Sequence, residues 1–160
     1  MTDDVITRHV HRLIVAIREE VAAHERILEL LTAQEDSVRR PGDEAFQAST
    51  TALEAELGRT GQRTARRERA LRDLASDFGV AQSAMTISSI VERLGDDGAI
   101  LAQERDRLTE IAKEVQRRNR RVATLVRLHR QVTKELIQVV LGPMDGGDVL
   151  DGGSLIDAEV

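Results

Sequence analysis

Residues 97–141 read DGAILAQERDRLTEIAKEVQRRNRRVATLVRLHRQVTKELIQVVL, and this stretch decides the fold. Taken at alternating intervals of three and four, its slots are Leu101, Glu104, Leu108, Ile111, Val115, Arg118, Val122, Leu125, His129, Val132, Leu136 and Val139. All but Glu104, Arg118 and His129 are aliphatic, so the segment carries a heptad seam. No proline interrupts it, and its one glycine, Gly98, falls in the first turn. At 1.5 Å per residue such a helix runs on the order of 65 Å. Propensity alone does not hold a helix of that length in water; it needs a partner surface along most of its length. Either the rest of the chain supplies that surface, or a second copy does.

The seam widens as it goes. From Val122 onward Val126, Leu128, Ile137, Val140 and Leu141 join it. The resulting apolar arc is broader than a single seam buries. Part of the surplus is expected to be covered by the other helices. The rest is expected to be a site for helix pairing or for a helix laid in a groove.

Outward from this stretch, the preceding residues supply the partners. Residues 3–39 carry Ile6, Val10, Leu13, Ile17, Val21, His24, Leu28 and Leu31 at helical spacing, and Pro41-Gly42 stops the run. His24 reads as a histidine packed at the seam, not a metal ligand. Asp43 opens a second helix to about Phe78, with slots Phe46, Thr50, Leu53, Leu57, Thr60, Thr64, Arg67, Leu71, Leu74 and Phe78. Its middle is polar and holds Gly58 and Gly61, each costing about 1 kcal/mol against Ala. A bend or fraying near 58–64 is therefore expected. Gly79 ends this helix. Thr86 then caps a two-turn helix through Leu94, closed by Gly95 and folding over the end of the bundle.

The expected fold is all-α: three long antiparallel helices over 1–142, with a short helix between the second and third. Residues 143–160 read as a flexible, acidic, Gly-rich tail. They hold five acids (Asp145, Asp148, Asp151, Asp157 and Glu159) and no Lys or Arg, with two apolar islands, Val149-Leu150 and Leu155-Ile156. Two roles are open for this tail, transient cover for the apolar arc or simple solubility. The rival architecture is a parallel coiled-coil homodimer built on the last helix.

Composition narrows the function. The 160 residues contain no Cys, Trp or Tyr and two Phe, which gives little to an aromatic-lined pocket and nothing to thiol chemistry. The start MTDDVITRHV, acidic and then amphipathic, does not read as a signal peptide, so none is expected, and no apolar run reaches the ~20 residues of a membrane helix. A cytoplasmic location without membrane insertion is expected. The net charge of −5 resides in the tail; without its five acids the body is neutral. No phosphate loop, nucleophile elbow or ligand cluster is present, so no catalysis and no cofactor or metal are expected. Two arginine clusters, at 59–72 and 117–130, raise the question of nucleic acid. They circle their helices, and stacking aromatics are absent. The preferred reading is a solvated surface paired with the acids of the first helix, Glu19, Glu20, Glu25, Glu29, Glu35 and Asp36.

The layout resembles the FlgN-type flagellar export chaperones. The similarity lies in the order of HERILELLTAQEDSV, RRERALRDLASDFGV, MTISSIVERL and RRNRRVATLVRLHRQVTKELIQVVLG, which together cover nearly the whole chain to Gly142. The resemblance implies a non-enzymatic helical protein that holds the hook–filament junction proteins FlgK and FlgL by their C-terminal helices. It implies a substrate-binding region on the last helix, at Val122, Leu125, Val126, Leu128, Val132, Leu136, Ile137 and Val140. Asn119 matches an asparagine often seen before that region, whereas an earlier one is replaced by an Arg/Gln stretch. Docking on the export-gate protein FlhA is implied through a C-terminal tyrosine, which this chain lacks.

Overall fold

The computed structural model describes residues 2–38 and 43–141. They form α1 (Thr2–Val38), α2 (Asp43–Asp77), α3 (Ile87–Leu94) and α4 (Ala99–Leu141), with 3₁₀ turns at Gln82–Ala84 and Gly95–Gly98 and no strand among them. The Pro41-Gly42 stop and the tail lie outside the described residues. By contacts the chain divides into two compact units, Met1–Leu125 and Val126–Val160, and α4 supplies residues to both.

Directions within the first unit follow from its cross-helix bonds. His9, Glu20, Arg26 and Gln34 of α1 meet Asp77, Arg67, Glu56 and Thr50 of α2, rising on one helix and falling on the other. Arg18, Glu25 and Glu35 meet Glu104, Arg107 and Arg118 of α4, rising on both. The three long helices therefore run up, down and up, the antiparallel all-α bundle that the three seams predict.

The apolar core gathers at one end. Leu13, Ile17 and Val21 of α1 pack with Leu74 of α2, Ile90 of α3 and Leu101 of α4. Removing side chains of this size from water stabilises the fold by roughly 1.5–3 kcal/mol apiece. The short helix closes that end because it is well capped. Thr86 Oγ1 accepts from the Ser89 N–H at 3.0 Å, and Ser89 Oγ accepts from the Thr86 N–H at 2.9 Å. Gly95, at φ +57°, then turns the chain with its N–H on the Val91 carbonyl. The long helix begins at Ala99, two residues later than the sequence suggests, because Gly95–Gly98 are wound as a 3₁₀ turn. Gly98 lies against α3, where an added Cβ would stand 2.9 Å from the Val91 carbonyl oxygen.

The middle of α2 does not fray. The helix is continuous from Asp43 to Asp77, without fraying at 58–64. Charge holds this region where aliphatic side chains do not. Glu56, almost fully buried, receives Arg63 at 2.8 Å, Arg26 of α1 at 3.2 Å and Arg59 at 3.3 Å. The two glycines carry helix-propensity cost and nothing else, since an added Cβ meets no atom within 4 Å at either. Gly58→Ala and Gly61→Ala are each expected to stabilise the protein by ~0.5–1 kcal/mol. Gly98→Ala is expected to destabilise it, because the backbone of Val91 has to move. Urea unfolding of the three variants measures both signs.

Candidate functional site

Charged residues interrupt the heptad seams at Arg67, Glu104 and Arg118, and α1 answers each with an opposite charge. Glu20 lies 3.2 Å from Arg67, Arg18 2.6 Å from Glu104 and Glu35 2.9 Å from Arg118. Arg121 adds a second bond to Glu35 at 2.8 Å. The expectation of solvated arginines paired with the acids of the first helix holds for Arg66 on Glu19 and Arg107 on Glu25. It differs at Glu20 and Glu35, which are buried. The carboxylates of these pairs are part of the bundle interior, each with an arginine against it.

Burial and charge set the pKa values of two of these acids in opposite directions. For Glu20, burial pushes the carboxyl up, and Arg67, His24 and Arg63 pull it only part of the way back. For Glu56, burial also pushes up, but the hydrogen bonds and charges of Arg26 and Arg63 outweigh it and the net shift is downward. Glu20 therefore binds a proton more readily folded than unfolded. Its contribution is present below the ordinary carboxylate pKa and lost as pH rises through the raised folded value. Glu56 contributes above the ordinary range and loses that contribution as pH falls through its depressed value. Glu20→Gln is expected to raise stability at pH 7, with the gain vanishing below about pH 4; Glu56→Gln is expected to lower it at pH 7. Thermal melts across this range check both.

Two apolar surfaces remain as docking candidates. In the first unit, a cleft of about 620 Å³ opens among α1, α2 and the first half of α4. Ile27, Leu31, Leu53, Leu57, Leu108 and Val115 line it, with His24, Arg67 and Asn119 among the polar groups. The His24 ring is tied by Nδ1 to the Glu20 carbonyl at 2.8 Å, as suits a packed seam histidine. Helical spacing in the sequence does not by itself mark this cleft. Its sequence signal is the thin middle of α2, where Thr60 and Thr64 replace aliphatic side chains.

In the second unit the candidate is one face of α4. Every side chain from Arg127 to Val140 is exposed. Val132, Leu136 and Val139 follow the seam, and Leu128, Ile137 and Val140 broaden it, with Leu136 60% and Val140 77% exposed. Val126 is half-buried. The other two residues singled out by resemblance, Val122 and Leu125, belong to the first unit. Val122 is 5% exposed and already packed; Leu125 is half-buried. Beside the stripe, His129, Arg130, Thr133, Lys134, Ile137 and Gln138 line a depression of about 550 Å³. An unpartnered apolar stripe of four helical turns is suited to binding another helix, not to chemistry on a small molecule.

A family model, described as FlgN protein, matches residues 1–146 of the chain. The chain belongs to the FlgN family. FlgN proteins are flagellar export chaperones and not a family of enzymes. No match is found among curated proteins or among solved structures. Among the described residues no group of three or more His, Asp or Glu is placed to hold a metal ion, and no helix is long and apolar enough to cross a membrane. The FlgN match takes in both surfaces, the cleft of the first unit and the stripe on α4.

Proposed function

We propose that this FlgN-family chain acts in the cytoplasm on the hook–filament junction proteins of the FlgK and FlgL kind. It binds their C-terminal helices along the α4 stripe and keeps them unassembled before export. The observation that carries this reading is the run of exposed aliphatic residues on α4 from Leu128 to Val140. An amphipathic helix laid along such a stripe buries both apolar faces at once, at about 25 cal/mol per Å². The ligand is protein and not nucleic acid. In the arginine clusters Arg59, Arg63, Arg66, Arg67, Arg117, Arg118 and Arg121 are engaged with carboxylates of this same chain. Handover to an export gate of the FlhA type belongs to the same reading. With no tyrosine in the chain, gate contact has to run through other residues.

Titration calorimetry of the full chain with peptides spanning the C-terminal helices of FlgK- and FlgL-like proteins tests the proposal. Saturable binding with a negative heat-capacity change is expected, because apolar surface is buried. Absence of binding to either peptide overturns it. A stable dimer at micromolar concentration that the peptides do not dissociate favours the coiled-coil scaffold instead.

A further inference from the structure

The α4 stripe has a chemistry that limits its occupant. On one flank of it stand Arg130 and Lys134, which have no ion-pair partner among the described residues and which share the depression over Ile137. The single acid of the stretch, Glu135, accepts a hydrogen bond from Gln131 at 3.0 Å. The surface is therefore apolar with a basic border. A second copy of the same stripe would set Arg130 and Lys134 against their like, which disfavours self-pairing. The complementary ligand alternates aliphatic residues with carboxylates.

This chain carries such a sequence itself. Asp148-Val149-Leu150-Asp151 and Leu155-Ile156-Asp157 join aliphatic pairs to acids, in a segment with no Lys or Arg. Position allows the contact. The seven residues from Gly142 to Asp148 separate Leu141 from Val149 and span up to roughly 25 Å when extended. Ile137 lies only about 6 Å back along the helix from Leu141, and Leu128 about 20 Å. The six further residues to Leu155 cover roughly another 20 Å. The first aliphatic pair thus reaches Ile137 and Val140, and the second reaches Leu128 and Val132. Closing so short a loop costs little more than closing a turn.

We propose that residues 148–157 cover the α4 stripe of their own chain when no client is bound, with the aliphatic pairs on the stripe and the acids against Arg130 and Lys134. The client helix then binds by displacing this segment. The displacement step rests on the client reading above; the covering contact does not. Cover of this kind lowers the apparent client affinity by the fraction of molecules in which the stripe is open. It also keeps an aliphatic face from water while the protein waits for a client.

The test uses the full chain with Val149, Leu150, Leu155 and Ile156 all replaced by Ser, and a second variant, Asp148→Asn/Asp151→Asn/Asp157→Asn. Amide hydrogen exchange over residues 128–140 and binding of a fluorescent hydrophobic dye are read without client. Both variants are expected to exchange faster there and to bind more dye, the charge variant by the smaller amount and with a weaker dependence on salt. With the FlgK- or FlgL-like peptide, affinity is expected to rise about tenfold in the serine variant. Unchanged exchange and dye binding overturn the covering contact. Protection that grows with protein concentration places the segment on a neighbouring copy and overturns the within-chain assignment. If exchange and dye respond but no peptide binds either form, the cover stands and the client reading fails.

Discussion

An Arg118→Met variant is expected to lose about 3 kcal/mol of unfolding free energy and to melt well below the parent protein. The reason is the carboxylate that it abandons. Glu35 has a side chain only 4% exposed, and Arg118 and Arg121 hold it at 2.9 and 2.8 Å. Methionine fills the heptad slot with similar volume but takes from Glu35 the better buried of these two arginines, leaving Arg121, a side chain that is mostly in solvent. Taking an arginine from a buried carboxylate costs far more than the intact pair contributes. Replacing both residues, Glu35→Leu with Arg118→Met, is expected to recover most of the loss, because two apolar side chains then meet across α1 and α4. Denaturant unfolding of the two singles and the double gives the coupling directly. A single Arg118→Met within 0.5 kcal/mol of the parent shows that the pair does not hold this part of the bundle.

That pair also shows where sequence reading stops. The three seams were legible because Leu, Ile and Val recur at helical spacing, and α3 because Thr86 and Gly95 bracket it. Glu104 and Arg118 stood in the same slots and were visible as interruptions. Their partners, Arg18 and Glu35, lie 86 and 83 residues away, and no local spacing rule connects them. Only the alignment of α1 with α4 does so. The same holds for α2, whose polar middle reads as a weak point from propensity alone. In the folded chain Arg26 of α1 reaches across to Glu56 and Arg59 and Arg63 join it, so that charge supplies what aliphatic residues do not. Along α1 the helical spacing selects Leu28, while the structure buries Ile27 more deeply, a drift of one residue that a 3.6-residue helix allows.

The exposed stripe on α4 is legible in outline for a different reason. An arc wider than one seam announces apolar surface in excess of what the chain buries, and from Leu128 to Val140 the structure leaves that excess in water. Which of its residues are already spent was not legible. Val122 has the same composition and spacing as Val132, yet it is buried and Val132 is 45% exposed. The difference depends on where neighbouring helices lie, which composition does not encode. The cleft beside Leu57 is the mirror case, since it arises from side chains that are missing and not from any that stand out.

Val132→Asp combined with Leu136→Asp is expected to weaken client-helix binding at least 100-fold while shifting Tm by no more than a degree or two. Both side chains are largely exposed, so aspartate there removes no core contact and strands no buried group. In a docked complex the same two carboxylates would be trapped against an aliphatic face without partners, and this asymmetry gives the large ratio. Two further variants assign the effect to a place. Ile100→Asp puts the same charge on an exposed aliphatic residue outside both candidate surfaces and is expected to leave client affinity unchanged. Leu57→Asp charges the rim of the cleft in the first unit. If the Leu57 variant abolishes binding and the double variant does not, the client sits in that cleft and the stripe assignment is wrong. If the double variant also loses many degrees of Tm, Val132 and Leu136 are packed in solution, and their face is closed within the protein or between its copies instead of being held open for a client.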